Sequence, residues 1–134
     1  QPFYARHPWV FAGAIERVEG DPRDGDEVEL RSHTGNFIAR GFFNSQSKIR
    51  VRLYSWNEGE SLDETFFTNK IEQAVQFREE LGLRGADQGC RLVFSEADGI
   101  SGLCIDEYAG YLAVQITSLG IGKRRDLLLQ LLAK

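Results

Sequence analysis

Methionine is absent from the 134 residues, and cysteine and histidine occur only twice each. The two cysteines, Cys90 and Cys104, stand singly in apolar runs, Cys90-Arg-Leu-Val-Phe94 and Leu103-Cys104-Ile105. Without a Cys-x-x-Cys pair there is no redox dithiol, and His7 and His33 are not spaced with the cysteines as zinc ligands would be. No metal site is expected, and the plain reading is two buried free thiols in a reducing cytoplasm. No stretch approaches the ~20 apolar residues of a membrane span. No secretory signal is visible. There is no internal repeat, no Gly-x-Gly-x-x-Gly and no phosphate loop ending in Gly-Lys-Ser/Thr. The missing methionine, with a last stretch that reads as an unfinished helix, suggests a piece of something longer.

Nine Phe, four Tyr and two Trp supply large core side chains, and the apolar fraction is 42%. The chain is long enough for one domain or two small ones. The net charge of −4 argues against a generic nucleic-acid binder. The charge is uneven, however. Residues 1–57 carry eight Lys/Arg against seven Asp/Glu, while residues 58–134 carry eight against thirteen. A nucleic-acid surface belongs in the first part.

Up to about residue 60, short β-type runs alternate with turn signals such as Gly20-Asp21-Pro22 and His33-Thr34-Gly35-Asn36. Phe37 to Phe43 reads as a strand with a bulge at Gly41. Several short strands with Gly-rich turns predict a small barrel. Ser61-Leu-Asp-Glu64 fits a capping box. It opens a helix to about Leu81, with Phe67, Ile71, Ala74, Val75 and Leu81 on its apolar face. Cys90–Phe94, Gly102–Asp106 and Tyr111–Thr117 read as an antiparallel meander broken at Asp98-Gly99 and Ala109-Gly110. A Leu-rich helix follows from Lys123. The fold class is α+β: a small β-barrel, then a β-meander with flanking helices.

Three groups of residues are candidates for chemistry. Lys48, Arg50 and Arg52 share one face of a strand whose other face is Ile49, Val51 and Leu53. Such a row is suited to a phosphate backbone; it is equally the solvated face of a half-buried strand, or the charge protection of a sheet edge. In Arg6-His7-Pro8-Trp9-Val10-Phe11, cationic and aromatic side chains together suit unpaired bases; the plainer reading docks Trp9 and Phe11 into the core. Glu96 and Asp98 are two carboxylates close in sequence, with nothing nearby to complete an acid–base pair or a metal set, and they read more simply as turn residues. No catalytic residue is assigned.

These same segments carry a family resemblance. Arg6-His7-Pro8-Trp9-Val10-Phe11, the stretch Ala39-Arg40-Gly41-Phe42-Phe43-Asn44 with Ser47-Lys48-Ile49-Arg50-Val51-Arg52, the helix opening at Phe66-Phe67, and Arg91-Leu92-Val93 through Glu96-Ala97-Asp98-Gly99-Ile100-Ser101-Gly102-Leu103-Cys104-Ile105-Asp106 occur in this order. The chain resembles the N-terminal part of the bacterial S-adenosylmethionine-dependent methyltransferases that modify cytosine C5 in large-subunit ribosomal RNA. Each motif alone is weak; four in order are fairly specific. Ser101 departs from the family, which usually has Pro there, and a looser turn is expected.

The resemblance implies a PUA-like RNA-binding domain over residues 1–70 and the first part of an α/β middle domain over 71–134. Arg6, His7, Arg40, Lys48, Arg50 and Arg52 would meet RNA, and Glu96 and Asp98 would face a cleft. The methyltransferase domain, with its S-adenosylmethionine site and catalytic cysteine, lies outside this chain, and Cys90 and Cys104 match no catalytic position. The chain itself would hold no cofactor. Its partners would be ribosomal RNA and its own methyltransferase domain, with no membrane. The alternative is a protein-interaction module, which docks a partner or forms a homodimer through its acidic second half and has no RNA affinity.

Overall fold

The computed structural model describes residues 7–84 and 89–133. The chain divides into two compact units, Gln1–Leu62 and Asp63–Lys134. No helix among the described residues is long and apolar enough to cross a membrane.

The first unit is built on an antiparallel sheet of β1 (Trp9–Phe11), β2 (Glu27–Arg31), β3 (Phe37–Phe43) and β4 (Ile49–Ser55). The strand order is β1-β4-β3-β2. The β2–β3 hairpin closes through Ser32 and Gly35: the Ser32 N–H donates to the Asn36 carbonyl and the Gly35 N–H to the Ser32 carbonyl, both at 2.9 Å. Alternation along each strand delivers Val10, Ala39, Phe43, Val51 and Leu53 to one apolar cluster, with Ile15, Val28, Leu30, Ile38 and Trp56 packed around it. The bulge anticipated at Gly41 is present, as a register shift against β4 between Arg40 and Gly41. The basic strand β4 pairs with neighbours on both sides, so its arginines are not the charge protection of an exposed edge.

The second unit runs α1 (Glu64–Glu80), then the meander β5 (Cys90–Phe94), β6 (Leu103–Tyr108) and β7 (Tyr111–Ile116), then a single turn α2 (Leu119–Gly122) and α3 (Arg125–Leu132). The sheet order is β5-β6-β7, all antiparallel. Helix α1 packs against β5.

The start of α1 differs from the capping box anticipated at Ser61. The cap is Asp63, whose carboxylate accepts from the Phe66 N–H at 3.0 Å. The cause lies in Leu62, which is buried while its N–H donates to Glu27 at 3.2 Å. With Leu62 held there, the helix begins one residue after Asp63, and an Asp caps as well as a Ser. Of the expected apolar face, Phe67, Ile71 and Ala74 are buried, joined by Phe66; Leu81 is exposed. Leu81 sits at the C-cap, beyond the last full turn, where the helical face no longer directs it inward. In α3, Leu128 is the fully buried residue.

Candidate nucleic-acid interface

Val10 is wholly buried while its neighbour Phe11 is 50% exposed. With side chains alternating along a strand, burying Val10 turns Trp9 and Phe11 to the opposite side. Val10, rather than Trp9 or Phe11, is the residue that docks β1 into the core. Trp9 and Phe11 meet edge to face with ring centroids 6.5 Å apart, and His7 approaches Trp9 in the same manner at 5.9 Å. The Trp9 N–H donates to His7 Nδ1 at 3.3 Å, which fixes the imidazole against the strand.

Register brings β4 alongside this aromatic run. Trp9 lies opposite Arg52, Val10 opposite Val51 and Phe11 opposite Ile49, with a shift between Val10 and Phe11. The Arg52 guanidinium lies 5.6 Å from the centre of the Trp9 ring, within range of a cation–π contact. Arg50 stands two residues earlier on β4, at that shift, its Nε donating to the Ser47 carbonyl at 3.1 Å. Lys48 is exposed just ahead of the strand, and its carbonyl accepts from the Ala12 N–H after β1. His7, Trp9, Phe11, Lys48, Arg50 and Arg52 therefore gather where β1 meets β4. Arg6, the remaining sequence candidate of this group, lies outside the described residues.

Arg40 has a different setting. Its side chain is only 13% exposed and faces two carboxylates, Glu27 at 3.4 Å and Glu29 at 3.2 Å. It also donates to the Glu58 carbonyl at 2.8 Å and lies over the Phe37 ring. Glu29 stands directly opposite Arg40 in the β2–β3 pairing and also accepts from Arg31. Hydrogen bonding from Arg31 is the main reason that the Glu29 carboxyl is held below its ordinary range, with Arg40 contributing. The charge of Arg40 is balanced within the protein.

Glu96 and Asp98 lie in the 3-10 turn Ser95–Asp98 between β5 and β6. Asp98 takes a bidentate pair from Arg78 of α1, at 2.6 and 2.8 Å, and accepts from the Phe94 N–H at 2.6 Å. Both members of the pair have side chains only 11% exposed. Burial pushes the Asp98 carboxyl up, but the bonds from Arg78 and Phe94 outweigh it and leave the group below the usual Asp value. Gly99 ends the turn in the left-handed region, at φ 78°, where glycine bears no steric cost.

Glu96 accepts from the buried Ser101 hydroxyl at 2.6 Å. A looser turn is expected of serine in place of proline, yet the serine hydroxyl is held within it. Ser101 forms a side-chain bond across it that proline cannot make. Among the described residues there is no group of three His, Cys, Asp or Glu placed to hold a metal.

Residues 1–56 match the model of a PUA-like domain. The chain is 42% identical over 127 residues to ribosomal RNA large subunit methyltransferase I of Aeromonas salmonicida, covering 95% of this chain and 32% of that protein. The same enzyme of Aliivibrio fischeri is 38% identical over 129 residues, covering 96% and 33%. That of Escherichia coli is 36% identical over 127 residues, covering 95% and 32%. The chain spans about a third of the length of these relatives. In fold it is similar to a methyltransferase crystallised with SAH, with a TM-score of 0.82 at 18% identity over 98% of this chain and 33% of that one. A structure described as a SAM-dependent methyltransferase from Streptococcus mutans gives 0.80 at 18% identity, over 97% and 34%. The chain thus bears out the resemblance carried by its motifs, matching, PUA-like domain included, a part of the large-subunit ribosomal RNA methyltransferase family.

Proposed function

We propose that this chain is the RNA-binding and substrate-positioning part of an S-adenosylmethionine-dependent ribosomal RNA cytosine-C5 methyltransferase acting in the cytoplasm. The observation that carries the reading is the convergence of Lys48, Arg50 and Arg52 with His7, Trp9 and Phe11 at the β1–β4 junction of a PUA-like domain. Cations there neutralise phosphates. The domain organisation follows: an RNA-binding domain over about residues 1–70 and the start of a middle domain after it. S-adenosylmethionine and the transfer chemistry belong to the methyltransferase domain of the longer protein. Glu96 and Asp98 serve the turn that shapes the middle domain's surface.

The test is a salt titration of the 134-residue chain on a large-subunit rRNA fragment. Three phosphate contacts on single-stranded RNA give a log–log slope of about −2, a roughly 20-fold loss of affinity between 50 and 200 mM salt. A flat dependence rejects the reading.

A second reading, self-association, has one observation in its favour. Strand β7 forms an edge of its sheet, carries no charged residue from Tyr111 to Ile116, and leaves Tyr111 80% exposed and Leu112 40% exposed. Such an edge lacks the usual protection against pairing, and antiparallel pairing with the β7 of a second copy is self-complementary. Light scattering then shows a dimer that Leu112→Lys converts to monomer; a monomeric wild type at high concentration rejects it.

A further inference from the structure

We infer that Phe11, backed by Trp9, forms a stacking platform for unpaired RNA bases, so that the first unit selects single-stranded RNA over duplex. This rests on the RNA-binding reading above and narrows it to a class of ligand.

Three features of the β1–β4 junction point to it. Phe11 is half exposed although large and apolar, and it sits on an edge strand whose central residue, Val10, is wholly buried. The strand is therefore anchored while its aromatic face is presented to solvent. The rings meet edge to face, at 83° for Trp9 with Phe11 and 86° for His7 with Trp9. Phe11 is half exposed and meets Trp9 only edge to face, so its ring offers a face to a planar base, while Trp9, in contact with His7, Phe11 and Arg52, backs it. Finally, the platform is flanked by positive charge. Arg52 lies against Trp9, with Arg50 two residues before it on β4 and Lys48 exposed just ahead of the strand. Aromatic faces beside a cationic track are the general solution for single strands, because every base has a π-face and only unpaired bases can reach a ring. A duplex keeps its bases stacked and would offer this surface only phosphates.

Charge alone and charge with stacking make different demands on Phe11. It lies opposite the aliphatic Ile49 in the strand pairing and is outside the buried cluster. Its removal takes away stacking surface while leaving the cations and the core in place.

The experiment measures binding of the 134-residue chain, by fluorescence anisotropy at low salt, to a 12-nucleotide single strand and to the duplex formed with its complement. The expected result is at least about tenfold tighter binding of the single strand. Phe11→Ala then weakens the single strand by roughly 5- to 150-fold, the range of one lost base–aromatic stack, and leaves duplex binding unchanged. Phe11→Tyr restores the preference. Circular dichroism of Phe11→Ala establishes that the sheet is intact, and Phe11→Tyr keeps the test decisive should the alanine variant misfold. Two results overturn the inference while sparing RNA binding itself: equal affinity for single strand and duplex, or single-strand binding that Phe11→Ala does not change. If the wild-type chain binds neither RNA, the RNA-binding reading fails, and this inference with it.

Discussion

Gly41→Ala should destabilise the first unit by about 3 kcal/mol or more, the largest effect expected of any single methyl group in that sheet. A Cβ built on Gly41 falls 2.1 Å from the Arg52 carbonyl oxygen and 2.8 Å from its carbonyl carbon, with the Val51 Cγ1 at 3.0 Å. The first two are backbone atoms of a strand hydrogen-bonded on both sides, so no side-chain rotation relieves the clash. Either β3 and β4 separate, or the bulge between Arg40 and Gly41 is lost and the register of β3 slips. A one-residue slip would turn the core face of β3 toward the other side. It would also disturb the backbone that carries Arg52. The variant should show a lower urea midpoint for the first unit and weaker RNA binding at temperatures where wild type is folded. An unchanged midpoint would mean that β3 and β4 are not in close contact at this position.

The largest effect in the second unit is expected at Asp98. Its pair with Arg78 joins the last turns of α1 to the turn after β5, and Arg78 also donates from Nε to the Arg91 carbonyl of β5 at 3.0 Å. Asp98→Ala leaves an almost buried guanidinium without its carboxylate and the Phe94 N–H without its acceptor. The cost should be about 2–3 kcal/mol, between the values for exposed and for fully buried pairs.

The pH dependence has a definite sign. The folded carboxyl titrates below its unfolded value of about 3.9. The pair's contribution is therefore complete above about pH 4 and is lost as pH falls through the folded pKa. Wild type and Asp98→Asn should differ most near neutrality and converge on acidification, as read by urea midpoints from pH 7 to pH 2. A difference that grows toward low pH would contradict the pairing.

The parts of this account legible in the sequence are those set by local periodicity. Alternation from Lys48 to Leu53 marked β4 and its two faces, and turn chemistry at Asp98-Gly99 and Ala109-Gly110 marked the meander. Pairings between distant segments were not legible. Nothing near Arg40 in the chain signals that Glu27 and Glu29 will balance its charge; that requires the β2–β3 register. Nothing near Asp98 signals Arg78, twenty residues earlier on a helix. Parity alone could not say whether Val10 or its two aromatic neighbours faced the core, because all three are apolar, and the sheet decides it by packing Val10 with Val51 and Leu53. The Ser101 bond was not legible either, because Glu96 comes within reach of the hydroxyl only through the fold of the turn.

The most direct test of the central claim is to change Lys48, Arg50 and Arg52 together to Glu and repeat the salt titration on the large-subunit rRNA fragment. With the sheet intact by circular dichroism, binding should be abolished at low salt, where wild type binds most tightly. A folded triple variant that binds as wild type does, with the same salt slope, would show that the β1–β4 junction is not the RNA surface.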